Sequence, residues 1–405
     1  MRCSVFAAVF GLLISGCSGG MEGGTSADTL RIGTVFSTTG SAASAGIESL
    51  EAASLAVDEI NAAGGVLGRQ LELLNRDDGN DPARARAAMQ ALVEIPVPVI
   101  IGALGSEATI ASYEVTRDAR VVQITSSSTA PAITTAADNG YLFRTCTSDV
   151  YQSRLVAERA AAKSFKRVAV IHVPGAYGVG FASGFETAFT ALGGTVTSRV
   201  EYVEGRTSYV DVLTEAYTQN PEAILLVGYA VEASQIIQDY LSGFVSRGTF
   251  WFFSDALEDP EFITAVGASG FTFAHEGTGP GASNSEPFRA FQVAFRKKYG
   301  VESSLPINAN AYDAVYLAAL AMEAAGQPDG TAIRDHITEV SRGGTPYGPA
   351  EYQQAVEAIR AQQDINFEGA SGPLDLDANG DVVAPYHLWR ISGGRVEILE
   401  PSVNP

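Results

Sequence analysis

From Leu30 onward, short runs of aliphatic and β-branched residues alternate with longer Ala-rich stretches whose apolar positions recur at helical spacing. Residues 30–36, 70–76, 98–101 and 121–124 predict strands. Between them, residues 47–63 predict a helix that stops at Gly64-Gly65. Asp81-Pro82 supplies an N-cap followed by proline at the first helical position, opening a helix to about Ile95, and 106–119 predicts another. The rhythm restarts near 142–150. Strands are expected at 167–173, 196–202, 223–227 and 250–253, with helices at 180–192, 209–219 and 231–244. After the Gly/Pro-rich segment 277–281 come helices at 286–299, 308–325 and 331–340, then hairpin-like strands at 373–376, 387–391 and 395–399. Strands and helices alternating over short connections call for parallel sheets covered on both faces. The count fits an α/β protein of two doubly wound, Rossmann-like lobes better than one oversized sheet.

The first residues do not share this rhythm. Arg2 gives a positive start, Val5 to Ile14 form an apolar run too short to span a bilayer, and Ile14-Ser15-Gly16-Cys17 closes it with small residues. Residues 1–16 therefore predict a signal peptide. The ending resembles a bacterial lipobox, which implies lipidation of Cys17 and a periplasmic, membrane-anchored lipoprotein. Residues 17–28 are Gly/Ser-rich and predict a flexible tether. Outside the cytoplasm ATP and nicotinamide cofactors are scarce, and no cofactor is expected.

Composition narrows the field further. The 405 residues are 46% hydrophobic, enough for two cores, and no later segment is long and apolar enough to cross a membrane. A formal net charge of −20 argues against nucleic acid or an anionic lipid surface as a partner. With Cys3 removed and Cys17 lipidated, Cys146 is the remaining thiol and no internal disulfide is expected.

Few motifs propose chemistry. Tyr177-Gly178-Val179-Gly180-Phe181-Ala182-Ser183-Gly184 lies between a strand and a helix, but its third glycine falls one residue late for G-x-G-x-x-G; a tight turn explains it better. Asp375 to Asp381 matches half an EF-hand loop, yet Tyr386 stands where the bidentate Glu belongs, and an Asn-Gly turn accounts for the same residues. His172, His275, His336 and His387 show no metal-ligand spacing and read as ordinary core or surface residues. With no G-x-S-x-G, P-loop or H-E-x-x-H, nothing pairs a nucleophile with a base, so an enzyme is not expected.

Polar residues where strands end carry more. Ligands of open α/β sheets bind beyond the carboxyl ends of the strands. Ser106 looks like the N-cap of the helix it opens, and Ser126-Ser127-Ser128-Thr129 follows the strand ending at Ile124. Hydroxyls and main-chain N–H groups there suit a carboxylate. Tyr177, Tyr229 and Asp255 each stand just past a strand, and the Asp255 charge suits an ammonium.

Five stretches together resemble the leucine/isoleucine/valine-type periplasmic binding proteins of ABC importers, which have the type I bilobal fold. They are residues 60–68 (INAAGGVLG), 77–82 (DDGNDP), Ile101-Gly102 leading to Ser106, Tyr177 to Gly180, and residues 369–373 (GASGP). The resemblance implies a solute-binding protein that captures a small ligand, an amino acid foremost, and delivers it to an ABC permease and its ATPase; a monomer is expected. A sensing receptor of the same fold, for an amide, urea or aromatic acid, is the alternative. It implies that Ser106, the main chain near Ser127 and Ser128, and Thr129 hold the ligand carboxylate. Asp255 would meet the ammonium, and Tyr177 and Tyr229 would close over the ligand. It also implies a three-crossing hinge near 146–150, 273–279 and 369–373. The N-terminal lobe is then 29–147 plus 278–370, and the C-terminal lobe 148–277 plus 371–405. Two departures stand out. Asn80 and Gly105 occupy the positions of a lobe disulfide in better-known members. The loop 37–46, expected to line the side-chain pocket, is rich in small and hydroxyl residues, which sets branched aliphatic specificity in doubt.

Overall fold

The computed structural model describes residues 29–40, 42–281, 284–305 and 307–404; the expected signal peptide, Cys17 and the expected tether lie outside the described residues. Strands β1 (Thr29–Val35), β2 (Gln70–Arg76), β3 (Val99–Gly102), β4 (Val122–Thr125) and β5 (Leu142–Arg144) form a parallel sheet in the order β2-β1-β3-β4-β5. Helices α1 (Ala43–Ala62), α2 (Pro82–Val93) and α3 (Ser106–Ala119) make its crossovers. The Asp81 carboxylate caps α2 by accepting the Arg84 N–H at 2.8 Å, with Pro82 in the first turn.

Helix α4 (Asp149–Ala162) leads into a second sheet. Its strands β6 (Arg167–His172), β7 (Thr195–Glu201), β8 (Ala223–Val227), β9 (Phe250–Phe253) and β10 (His275–Pro280) repeat the same order, β7-β6-β8-β9-β10. Here α5 (Gly175–Ala191), α6 (Val210–Ala216), α7 (Ala230–Gly243) and α8 (Pro260–Val266) connect the strands. The chain then returns to the first core as α9 (Glu286–Tyr299), α10 (Asn308–Ala325), α11 (Gly330–Ser341) and α12 (Tyr352–Arg360). A small sheet of β11 (Thr345–Tyr347), β12 (Ile365–Gly369) and β13 (Gly372–Pro373) accompanies these helices. Finally β14 (Tyr386–Ser392) joins β10 antiparallel, and β15 (Arg395–Val403) forms the edge. Central strands such as β3 and β8 are buried along their whole length, which is why they read as unbroken apolar runs. Helix α10 is buried from Asn308 to Glu323 on every face, so it shows no polar solvent stripe, and its few polar residues, such as Asn310 and Asp313, are hydrogen-bonded inside.

Several expectations shift. Helix α1 begins at Ala43 rather than at residue 47, and Gly46 in its first turn packs so closely on the segment leaving β1 that a Cβ would lie 2.0 Å from the Ser37 carbonyl oxygen. Helix α5 begins at Gly175 rather than at residue 180, so the glycine-rich stretch lies within its first three turns and is not a loop. Strand β10, His-Glu-Gly-Thr-Gly-Pro, was not expected at all. It is buried between β9 and β14 without any apolar alternation to announce it. The hairpin strand expected at 373–376 reduces to β13; Leu374, Leu376 and Val382 pack into the first core instead.

That packing moves two of the expected crossings. β10 stays in the second sheet to Pro280, so the second passage follows it, and the third falls near 384–386 rather than at 369–373. The third passage is held by Arg144, fully buried, whose guanidinium clamps Asp381 through two contacts of 2.6 and 2.7 Å. In the EF-hand-like stretch, the Asp377 carboxylate accepts the Asn379 and Asp381 N–H groups at 2.7 and 3.0 Å, the bonding of a tight turn.

Candidate functional site

The two sheets turn their carboxyl ends toward each other, and the segments leaving β1, β3, β4, β8 and β9 and the first turn of α5 enclose a cleft of about 690 Å³ that opens to solvent. Of the residues expected there, Ser106, Ser127, Thr129, Tyr177, Tyr229 and Asp255 line it. Ser128 lies behind them, its hydroxyl 2.8 Å from that of Thr109 and 3.0 Å from the Leu104 carbonyl. Ser106 is not the N-cap expected: Gly105 takes that position, and the Ser106 Oγ instead accepts the Ala130 N–H at 3.2 Å.

The hydroxyl protons are largely committed. Ser127 donates to the Leu104 carbonyl at 2.7 Å, Thr129 to Asp149 at 2.9 Å, and Tyr177 to Asp255 at 2.8 Å. A hydroxyl has one proton and two lone pairs, so these oxygens can offer a ligand only acceptor sites. Ser106, whose oxygen accepts from Ala130, keeps its proton for an acceptor beside the N-terminal N–H groups of α3. The cleft therefore has a donor end at α3 and an acceptor end at Asp255, Thr129 and Tyr177.

The acceptor end is strongly acidic. Burial lifts the Asp255 carboxyl to about 6 against the lowering effect of the Tyr177 hydroxyl. Asp149, wholly buried, is raised well above the usual carboxylate range by burial first and the Asp255 charge second. Gln152, one turn beyond Asp149 on α4, links the floor to the hinge. Its Nε2 lies 3.4 Å from Asp255 Oδ1 and donates to the Thr278 hydroxyl at 2.9 Å. Among the described lining residues there is no Lys, Arg or His.

Both lobes meet across the cleft. Tyr177 and Tyr229 stand 5.7 Å apart with their planes 31° from parallel, and the Tyr229 hydroxyl hydrogen-bonds the Asn80 side chain of the opposite lobe. The Tyr177 N–H donates to Glu107 on α3 at 2.9 Å. Sequence reasoning missed Asn80, Glu107, Asp149, Gln152 and Asp259. Only Asp259-Pro260 had a readable signal, the same capping pair as Asp81-Pro82.

Ala42, Ala45, Leu104, Leu305 and Ile307 give the cleft an apolar end. The hydroxyls of the preceding loop, expected there, are turned away: Ser37 donates to Asp78 at 2.6 Å and Thr39 to Asp77 at 2.6 Å. Glu48 fastens the opposite wall, accepting from the Ser304 N–H and the Asn308 amide, each at 2.8 Å. Cys146 is a buried free thiol whose pKa burial pushes up to about 12, so it is inert and takes no part in the site.

Known proteins share this arrangement. A periplasmic binding protein family model matches residues 29–393. The chemotactic signal transduction system substrate-binding protein BasB of Halobacterium salinarum is 27% identical over 358 residues, covering 85% of this chain and 82% of that protein. The Leu/Ile/Val-binding protein homolog 3 of Brucella melitensis is 26% identical over 381 residues, 92% of this chain and 94% of its own. A crystal structure of the branched-chain amino acid transporter substrate binding protein LivJ from Streptococcus pneumoniae, in complex with isoleucine, is 27% identical. It aligns with a TM-score of 0.78, covering 93% of this chain and 100% of that one. With its two like-ordered sheets facing one cleft, the chain belongs to the periplasmic binding protein family.

Proposed function

We propose that this protein captures an α-amino acid with an aliphatic side chain and delivers it to an ABC permease. The observation that carries this is the polarity of the cleft: a helix start with the Ser106 hydroxyl at one end, Asp255 with two acceptor oxygens at the other, and an apolar end beside them. A buried zwitterion needs partners for both charges, since an unpaired one would cost several kcal/mol. Ser106 and the α3 N–H groups take the carboxylate, Asp255, Thr129 and Tyr177 the ammonium, and Ala42, Ala45, Leu305 and Ile307 the side chain. This assignment moves the Thr129 hydroxyl from the carboxylate to the ammonium end. Ser127 contributes main chain and shape, Tyr229 closes the cleft from the second lobe, and Ser128 supports the wall. The isoleucine-bound relative supports an aliphatic side chain.

The lobes on either side of the cleft close by a hinge motion, because a ligand touching both gives the closed form an affinity the open form lacks. The first lobe comprises 29–147 and the stretch from the end of β10 to about residue 384; the second is the remainder. We place the protein in the periplasm as a monomer anchored through lipidated Cys17. Replacing Cys17 with Ser should abolish metabolic palmitate labelling, and unchanged labelling would remove the anchor.

A thermal-shift screen of leucine, isoleucine, valine, benzoate, acetamide and urea tests the ligand class. At a hundred times its dissociation constant a ligand adds about 2.7 kcal/mol of stability. Stabilisation by benzoate or amides and by no amino acid would overturn the proposal. The likeness to a chemotactic binding protein keeps a second reading, sensing instead of transport. Retention of uptake-competent binding to a permease in reconstituted vesicles separates the two.

A further inference from the structure

Behind the wall of the cleft, Glu258 and His387 are buried against each other, with the His387 Nε2 2.7 Å from Glu258 Oε2. The other ring nitrogen, Nδ1, lies 3.1 Å from the Gly281 carbonyl. The Gly281 carbonyl and an ionised Glu258 can only accept, and a neutral imidazole carries a single N–H, so with Glu258 ionised the imidazolium alone serves both. Facing a neutral ring, a buried Glu258 carboxylate would be an uncompensated charge.

Three parts of the chain converge on this pair. Glu258 closes the turn Asp255–Leu257 and directly precedes Asp259; Asp255 and Asp259 both line the cleft. His387 sits on β14 just after the third passage between the lobes, and Gly281 follows β10 at the second. Gly279 of β10 leaves the room: a Cβ there would come within 2.6 Å of both Glu258 Oε2 and His387 Cε1. β10 thus brings no charge against the ring, and Glu258 is the charge it feels. Burial would lower the ring's pKa, but the Glu258 charge and the two hydrogen bonds overturn that and raise it.

We propose that the His387–Glu258 ion pair is a pin that fixes the turn 254–259, and with it Asp255, to the two hinge strands β10 and β14. His387 is a positioning residue: it lies off the cleft and acts through Glu258. The inference rests on the reading of the cleft as the ligand site only for its effect on affinity.

Two ligand-free measurements on the full chain decide it. Nitrogen-15 NMR near pH 7.5, with His387→Gln identifying the resonance among four histidines, should show both ring nitrogens protonated, whereas an ordinary histidine is mostly neutral at that pH. A neutral ring overturns the pin. In His387→Gln, hydrogen exchange of 254–259 should quicken about tenfold or more while β8 keeps its wild-type protection. Unchanged exchange at 254–259 also overturns it. Glu258→Gln keeps the size of the side chain and is the gentler variant should the first fail to fold. In it, His387 should become neutral and the same turn should exchange faster; a ring still doubly protonated would contradict the assignment. Leucine affinity, measured alongside, should fall in both variants. A wild-type protein that binds no leucine yet passes both ligand-free tests would count against the proposed ligand and leave the pin standing.

Discussion

A hydroxyl on a cleft wall can serve either end of a zwitterion until the destination of its proton is known. Thr129 and Tyr177 stand at strand exits, and the sequence rhythm alone placed them in the cleft. Their acceptor character comes from Asp149 and Asp255, partners 20 and 78 positions away. Hydrogen bonds over such separations leave no periodic trace, so which of these residues line the cleft was legible and where their hydroxyl protons point was not. That polarity makes Asp255 the residue most exposed to test. Asp255→Asn keeps the size and removes the charge. A hydrogen bond to a charged group contributes about 1.5–3 kcal/mol, so amino-acid affinity should fall about tenfold or more by titration calorimetry. Equal affinity would sink the amino-acid assignment. The pH dependence has a definite sign. An ammonium needs the carboxylate ionised, and the Asp255 carboxyl is lifted to about 6. Affinity should hold above that pH and weaken below it, by at most about tenfold per unit. The slope should vanish in Asp255→Asn.

At the scale of elements, glycines decide how closely the parts approach. The stretch Tyr177 to Gly184 mimicked a dinucleotide loop, yet in α5 its glycines serve contact. A Cβ on Gly180 would lie 2.8 Å from Cδ of Pro131, in the opposite lobe. Gly180→Leu should therefore leave each lobe folded but block full closure. Affinity should drop about tenfold or more, as expected when a binding-competent state is depopulated. Small-angle scattering with saturating ligand should show the variant staying expanded; a wild-type contraction would disprove the contact's role. A second element-scale test uses the missing disulfide. A Cβ on Gly105 would sit 2.1 Å from the Asn80 amide oxygen, so the two positions do adjoin, as the family resemblance implied. Cysteines at both would close a loop of about 25 residues, worth about 3 kcal/mol. Asn80 has φ 59°, a region that costs most other residues about 1 kcal/mol or more. Net stabilisation of the oxidised double variant over wild type should be about 2 kcal/mol in urea unfolding. Cleft affinity should suffer, since both positions line it.

For the whole molecule, alternation of strand and helix was enough to read two doubly wound halves, because buried parallel strands such as β3, β8 and β9 are continuous apolar runs, with β10 the exception. Where the chain changes halves was misplaced, because Leu374, Leu376 and Val382 are apolar whichever core receives them. What fixes the third passage is a charge. Arg144, at the end of β5, holds Asp381 by two hydrogen bonds, and its remaining donors reach the Thr134 hydroxyl at 2.6 Å and the Thr129 and Ala130 carbonyls, each at 3.2 Å. The first passage, the third passage and the segment carrying Thr129 are thus tied at one guanidinium. Asp381→Asn keeps the shape but leaves a buried cation whose carbonyl partners cannot neutralise it, so stability should fall by about 3 kcal/mol or more in chemical denaturation. The paired change Arg144→Met with Asp381→Leu removes both charges and should recover most of that loss. If the double variant is as stable as wild type but binds more weakly, the pair is kept for hinge geometry rather than for stability. A loss under about 1 kcal/mol in Asp381→Asn, the range of an exposed surface pair, would show that the passage is held by packing instead.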